Sequence, residues 1–182
     1  QELLLFACFW MVIIGLDDLI FDLLWIANAV RGRWRPLALH SLPEPPPTRL
    51  AIFVPLWQEA NVVAPMIAHT LDQWAVTRAG VAYRIYLGCY PNDAATCAVV
   101  KALTARHPDR LRMALNPHAG PTTKADNLNS IWQAMTADVA AERQSFDAII
   151  LHDAEDMVHR DELSLYAAML VNCDMVQIPV VP

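Results

Sequence analysis

Fourteen successive residues without a polar side chain, 3 to 16 (LLLFACFWMVIIGL), open the chain, and only beyond them do short apolar runs alternate with mixed stretches. A helix needs about 20 apolar residues to cross the hydrocarbon core. The segment 19–30 (LIFDLLWIANAV) could extend the run, but Asp17, Asp18 and Asp22 intervene, and a carboxylate near the bilayer centre costs about 2.5–3.5 kcal/mol on insertion scales. The pattern therefore predicts a spanning helix that ends near Leu16 and an interfacial or partner-packed helix over 19–30, within a membrane segment covering residues 1–35. Asp18 and Asp22, one turn apart, share a face that reads either as solvated or as an intramembrane polar contact. Arg31, Arg33 and Arg35 follow the apolar run, the reverse of a cleaved signal peptide, and favour a cytoplasmic side for what comes next. Trp10, Trp25 and Trp34 read as interface anchors.

Residues 36–47 (PLALHSLPEPPP) hold five of the 13 prolines, which makes them an extended, semi-rigid spacer. From Thr48 onward the spacing changes to that of a layered domain, 48–182. Apolar or alternating runs at 50–55, 83–90, 111–116, 146–153 and 175–181 predict five strands. Stretches at 61–75, 93–108, 124–143 and 161–171 predict helices, with Pro65 tolerable only in a first turn. Strands alternating with helices give an α/β fold with a mainly parallel sheet, whose ligands bind beyond the strands' carboxyl ends.

Composition refines this picture. Hydrophobic residues make up 55% of the 182 and charged ones 18%, which excludes a disordered or collagen-like chain. The net charge is −6, and most of it falls beyond residue 49, so a nucleic-acid partner is not expected. The four cysteines, Cys8, Cys89, Cys97 and Cys173, form no CxxC and read as buried reduced thiols.

Chemistry gathers where strands end. HDAEDMVHRDEL (152–163) follows the apolar AIIL and carries Asp153, Glu155 and Asp156 within four residues. Carboxylates this crowded repel one another unless solvated or neutralised. A divalent cation with oxygen ligands would neutralise them and leave positions for a diphosphate. The plainer reading is a helix start decorated with acids, and the buried strand before the motif favours the first. GPTTKADNLN (120–129) sets Lys124 and Asp126 at a helix opening, suited to a phosphate and a polar ring edge; alone, it reads first as a helix capped by Thr122 or Thr123. VPLWQEAN (54–61) brings Glu59 after a strand, and YPND (90–93) brings Asn92 and Asp93 into a turn. Trp57, Trp74 and Trp132 read as core or pocket wall. His152 and His159 flank the acids without a third zinc-like ligand.

The order VPLWQEAN, YPND, GPTTKADNLN, ILHDAED, QIPV over positions 50–182 resembles the family 2 glycosyltransferases of GT-A fold, in particular the inner-membrane phage-adsorption protein B type. The resemblance implies that Glu59 and Asp93 lie beside the nucleoside and that Lys124 and Asp126 lie near the base and diphosphate. Asp153 would contact ribose or metal, and Glu155 or Asp156 the metal, as Mg2+ or Mn2+. Two departures stand out: Gln58 replaces the usual Asn, and the DxD motif reads DxE followed by Asp. The implied activity is metal-dependent, inverting transfer of a sugar from a nucleotide-sugar donor, UDP-linked, to a glycan acceptor. The implied setting is a bacterial inner membrane, with the lipid bilayer and cell-envelope proteins as partners and the domain facing the cytoplasm. Only 26 residues follow Asp156, so the general base is expected beyond residue 182, and this stretch alone would bind donor without turnover. One rival is a non-catalytic receptor or assembly component that keeps the fold. Another, a nucleotidyltransferase, would need a Gly-rich, Arg-bearing loop after the first strand, which VPLWQEAN lacks.

Overall fold

The structure, a computed structural model, describes residues 2–32, 44–77 and 80–178 and divides into two units, Gln1–Ser41 and Leu42–Pro182. In the first, helix α1 (Glu2–Val30) runs unbroken for 29 residues with no buried side chain. At 1.5 Å per residue it is about 43 Å long, more than the ~30 Å hydrocarbon thickness, and its most apolar stretch has a mean hydropathy of 2.2. By length and composition it can cross a membrane. The predicted break near Leu16 is absent. Three aspartates change which lengths of helix tolerate lipid, but as helix residues each costs less than about 0.7 kcal/mol relative to alanine, too little to interrupt a run of Leu, Ile, Phe and Trp. What stops α1 is Gly32, whose φ of +63° is the left-handed conformation glycine adopts freely at a helix end. Arg33, Trp34, Arg35 and most of the expected spacer (36–43) lie outside the described residues.

The second unit is a parallel sheet of four strands, β1 (Thr48–Pro55), β2 (Val81–Cys89), β3 (Leu111–Leu115) and β4 (Ala148–Leu151), in the order β3-β2-β1-β4. Helices α2 (Val63–Gln73), α3 (Ala94–Arg106), α4 (Lys124–Glu142) and α5 (Glu162–Met169) complete it. Side chains alternate across a strand, and this sorts the central strands into two cores. Leu50, Ile52 and Val54 of β1 and Tyr83, Ile85 and Leu87 of β2 pack with Ile67, Val100 and Leu163 of α2, α3 and α5. Ala51, Phe53 and Tyr86 face the other way, onto Ile131 and Met135 of α4. Burial on both faces is why β1 and β2 read as nearly continuous apolar runs.

The fifth predicted strand is a correction. Residues 175–178 pair with no strand of the sheet, leaving Met175 exposed and Val176 and Ile178 only half-buried; 179–181 lie outside the described residues. Cys89 and Cys97 are buried free thiols as expected, but Cys8, on α1, and Cys173 are exposed. Trp132 is also exposed, whereas Trp74 is fully buried.

Gly88 of β2 fixes the approach of α4. A Cβ there would sit 2.2 Å from Asn127 Oδ1 and 2.6 Å from Ile131 Cδ1. Gly88→Ala is expected to destabilise the domain by about 1–3 kcal/mol through overpacking, read as a lower midpoint in urea unfolding. Farther along α4, Arg84 of β2 and Arg112 of β3 meet Asp138 and Glu142, with Arg84 Nη1 to Glu142 Oε1 at 2.9 Å. These contacts hold the far end of the helix to the sheet.

Candidate functional site

The chain leaves β1 toward β2 and β3 on one side and returns to β4 on the other. Such a reversal opens a crevice beyond the carboxyl ends of β1 and β4. A cleft of about 410 Å³ lies there, and its lining includes Trp57, Glu59, Tyr90, Lys124, Asp153 and Glu155.

The first wall follows β1. Leu56 N–H donates to Gly88 O (2.9 Å), which carries the sheet one residue further before the chain turns at Gln58, whose φ is +58°. A side chain other than Gly or Asn enters this region at a cost of about 1–2 kcal/mol, so something must hold it. Asp93 does: Gln58 N–H donates to its Oδ2 (2.6 Å) while Thr96 N–H donates to its Oδ1 (3.2 Å), capping α3. Glu59 N–H donates to Thr96 Oγ1 (3.1 Å), and the Glu59 side chain borders the cleft. Asp93 itself is 8% exposed and is not among the lining residues.

Burial alone would raise the Asp93 carboxyl, but the hydrogen bonds from Thr96 and Gln58 outweigh it and hold the group below its ordinary value. A carboxyl lowered on folding contributes stability above its unfolded pKa of about 3.9, and that contribution is lost as pH falls through the lower folded value. Asp93→Ala is therefore expected to cost about 1 kcal/mol at pH 7 as a lost helix cap. The gap to the parent should shrink below pH ~4, as seen by thermal unfolding across pH.

The second wall is aromatic. Trp57 and Tyr90 meet edge to face at 5.2 Å, and the Tyr90 hydroxyl hydrogen-bonds the Thr122 hydroxyl (2.7 Å). Asn92 clamps the loop after β3 from both sides: its Nδ2 donates to Gly120 O (2.6 Å) and its Oδ1 accepts from Gly120 N–H (2.7 Å). Gly120 is required here because a Cβ would lie 2.5 Å from the Trp57 ring and 2.8 Å from Tyr90 Cγ.

Helix α4 supplies the third side. Thr123 caps it, its hydroxyl accepting from Asp126 N–H (3.2 Å). The Asp126 carboxylate accepts from Asn116 Nδ2 (2.9 Å) and Thr122 Oγ1 (2.8 Å), and His118 Nδ1 stands 3.3 Å away. These partners, Asn116 first, lower its pKa. Asp126 thus organises the loop and is not a lining residue, whereas Lys124 borders the cleft. Asn127, buried, donates its Nδ2 to Leu56 O (3.4 Å) and Gly88 O (3.3 Å), tying α4 to the exits of β1 and β2.

The acid loop after β4 closes the cleft. Lys124 Nζ pairs with Asp153 Oδ1. Asp153 N–H donates to Asp156 Oδ2 (2.8 Å) and Asp156 N–H to Asp153 O (3.2 Å), so one oxygen of the Asp156 carboxylate is engaged in the turn. Asp153 and Glu155 both border the cleft. The three acids do not converge: among the described residues, no three Asp, Glu, His or Cys side chains stand close enough to share one ion. The donor set nonetheless fits Mg2+ or Mn2+, which take hard oxygen ligands and commonly only one or two protein carboxylates beside phosphate oxygens and water. Of the three acids, Asp153 and Glu155 are the two that border the cleft. The exposed Lys124–Asp153 bridge is worth only about 0–1 kcal/mol, so a ligand can reorganise it.

Four of the seven residues expected from sequence, Glu59, Lys124, Asp153 and Glu155, lie on one cleft; Asp93, Asp126 and Asp156 support it from behind. The sequence reads Trp57 as core or pocket wall and Thr122 as a possible helix cap, and singles out neither Tyr90 nor Asn127. Their signal was position alone, each being within a residue or two of a motif at a strand end or helix start.

Comparison with known proteins adds a family. The family described as Glycosyltransferase like family 2 matches residues 45–180. The chain is 35% identical over 181 residues to Bacteriophage adsorption protein B of Escherichia coli K12 and, equally, to Bacteriophage N4 adsorption protein B of Escherichia coli O157:H7. Each match covers 94% of this chain and 23% of the relative, so the chain spans about a quarter of the length of those proteins. Among solved structures it is similar to the mannosyltransferase PcManGT from Pyrobaculum calidifontis, determined in complex with GDP-Man and Mn2+. The TM-score is 0.52 at 19% identity, over 86% of this chain and 42% of that one; the likeness is one of fold.

Proposed function

The chain belongs to the glycosyltransferase-like family 2, its second unit having the parallel α/β sheet of the GT-A fold, and from that premise we propose that the cleft binds the nucleoside diphosphate of a sugar donor, UDP-linked. The longer protein then transfers the sugar, with inversion, to a glycan acceptor. One observation carries the reading: Lys124 at the start of α4 and two carboxylates, Asp153 and Glu155, share the crevice at the sheet's reversal point. A cation-bearing diphosphate needs both signs of charge within one site.

The residues divide the work. Trp57, Tyr90 and Pro121 offer an apolar wall for a base, with Glu59 also on the cleft. Lys124 and the unpaired N–H groups of the α4 start attract phosphate oxygens. Asp153 and Glu155 would hold Mg2+ or Mn2+, which when bound offsets the charge developing on the departing diphosphate. The Mn2+ in the PcManGT complex supports a divalent ion of this kind. Helix α1 anchors the protein in the bacterial inner membrane, residues 36–47 act as spacer, and 48–182 form the donor domain on the cytoplasmic side.

The second reading, a receptor or assembly component, draws on the name of the phage-adsorption relatives. Calorimetric titration of the detergent-solubilised chain with UDP and with GDP, each with Mn2+, separates the two. UDP binding, tighter than GDP, is the expected result. Preference for GDP would overturn the UDP assignment, and binding of neither would favour the receptor.

A further inference from the structure

Behind the acid loop stands a side chain that the donor site does not use. His152 follows β4 directly, its N–H donating to Phe53 O (3.0 Å), and its ring is turned inward, 11% exposed. Nε2 lies 2.9 Å from Glu162 Oε1 in the first turn of α5, itself 11% exposed. Nδ1 lies 3.6 Å from Asp156 Oδ2. That same oxygen accepts the N–H of Asp153 (2.8 Å). His152 thus stands between Glu162 of α5 and Asp156, whose Oδ2 holds the backbone of Asp153; the approach to Asp156 is a close contact, longer than a hydrogen bond.

The surroundings make the ring a fixed strut. The edge of Trp74 packs on it at 6.1 Å between ring centres. Trp74 Nε1 donates to His159 O (3.1 Å), and His69 Nε2 lies 3.3 Å from Val158 O. Ala154 and Val158 are buried in the core beneath. The loop is therefore pinned at its middle and far end by α2, and at its beginning by His152 alone among these side chains. An imidazole suits that place because its two nitrogens face opposite directions, so that one ring stands between Glu162 and Asp156.

We propose that His152 is a positioning residue for the cation site: braced by Glu162, it orients Asp156, and through it the turn that aims Asp153 at the cleft. This rests on the donor-site reading above. Partners of this kind, one step removed from a metal ligand, typically change metal affinity 10–100-fold when removed.

The test is Mn2+ binding to the detergent-solubilised chain at saturating UDP, followed by the electron paramagnetic resonance of free Mn2+, with circular dichroism to verify folding. His152→Phe keeps a ring of similar bulk against Trp74 and removes both nitrogens. It is expected to weaken Mn2+ binding about 10–100-fold at a temperature where the variant is fully folded. His152→Gln, which retains a polar group toward Glu162, should recover part of that loss. A loss below fivefold for His152→Phe in a folded protein overturns the proposal. If that variant does not fold, Glu162→Gln is judged by the same threshold. Absence of Mn2+ binding in the parent itself overturns the donor-site reading and the strut with it, whereas parent binding with unaffected variants overturns the strut alone.

Discussion

Replacing Asp153 with alanine is expected to reduce Mn2+-dependent UDP binding by about 100-fold or more, equivalent to about 2.7 kcal/mol, while leaving the domain within about 1 kcal/mol of the parent in stability. The two magnitudes come from the same contact seen from two sides. In the free protein Asp153 forms an exposed bridge with Lys124, and exposed pairs contribute little because water screens both partners. With a cation and a diphosphate in the cleft, the carboxylate would become a direct ligand whose loss nothing nearby replaces, since Asp156 is committed to the Asp153 N–H. Calorimetry with and without Mn2+ alongside urea unfolding measures both. An affinity loss matched by an equal loss of stability would mean that Asp153 is structural.

The second large effect is on the fold. Trp74→Ala should destabilise the second unit by about 3–5 kcal/mol, the range for removing a buried Trp or Phe, and lower the midpoint of thermal unfolding by more than about 10 °C in a domain of this size. Trp74 is 1% exposed, packs edge-on against Tyr83 at 5.2 Å and donates to His159 O. It therefore supports the core and the acid loop together. Trp74→Phe separates the two roles: it keeps most of the ring volume and removes one of the two donors to His159 O, Glu162 N–H (3.1 Å) remaining, for an expected cost of about 1 kcal/mol. A Trp74→Ala protein within 1 kcal/mol of the parent would show that the loop and the end of α2 relax into the space.

How much of this was legible in the sequence depended on whether a residue's surroundings are local. The four sheet strands were legible because both faces of β1 and β2 are buried, which forces continuous apolar runs. Helix α4 was legible from its cap, Thr123, and from the spacing after it. The continuity of α1 was not, because charge was weighed as though it broke helices, when it only changes their solvent. Over the described residues 175–178 the fifth strand is absent for a related reason: MVQI has strand composition, but a strand also needs a partner edge.

The site divides along the same line. Lys124, Asp153 and Glu155 could be found because each stands where a strand ends or a helix begins. That Asp93 and Asp126 turn toward backbone and loop partners depends on Gln58, Thr96 and Asn116, residues from other motifs. Gln58 is instructive. As a departure from the usual Asn it looked like a weakness in the resemblance, yet its positive φ is a conformation Asn enters more readily than Gln, and the hydrogen bond to Asp93 accounts for its persistence. His152 was set aside as a failed zinc ligand, and only the fold brought Glu162 within 2.9 Å of it.

The central claim is that one cleft between the ends of β1 and β4 takes both the nucleoside diphosphate and its cation. A crystal structure of the chain grown with UDP and Mn2+, with anomalous data at the manganese edge, tests it most directly. The manganese peak is expected within coordination distance of Asp153 and Glu155, the diphosphate beside Lys124 and the base against Trp57 and Tyr90. Manganese bound elsewhere, or UDP in the cleft with no manganese beside Asp153, would contradict it.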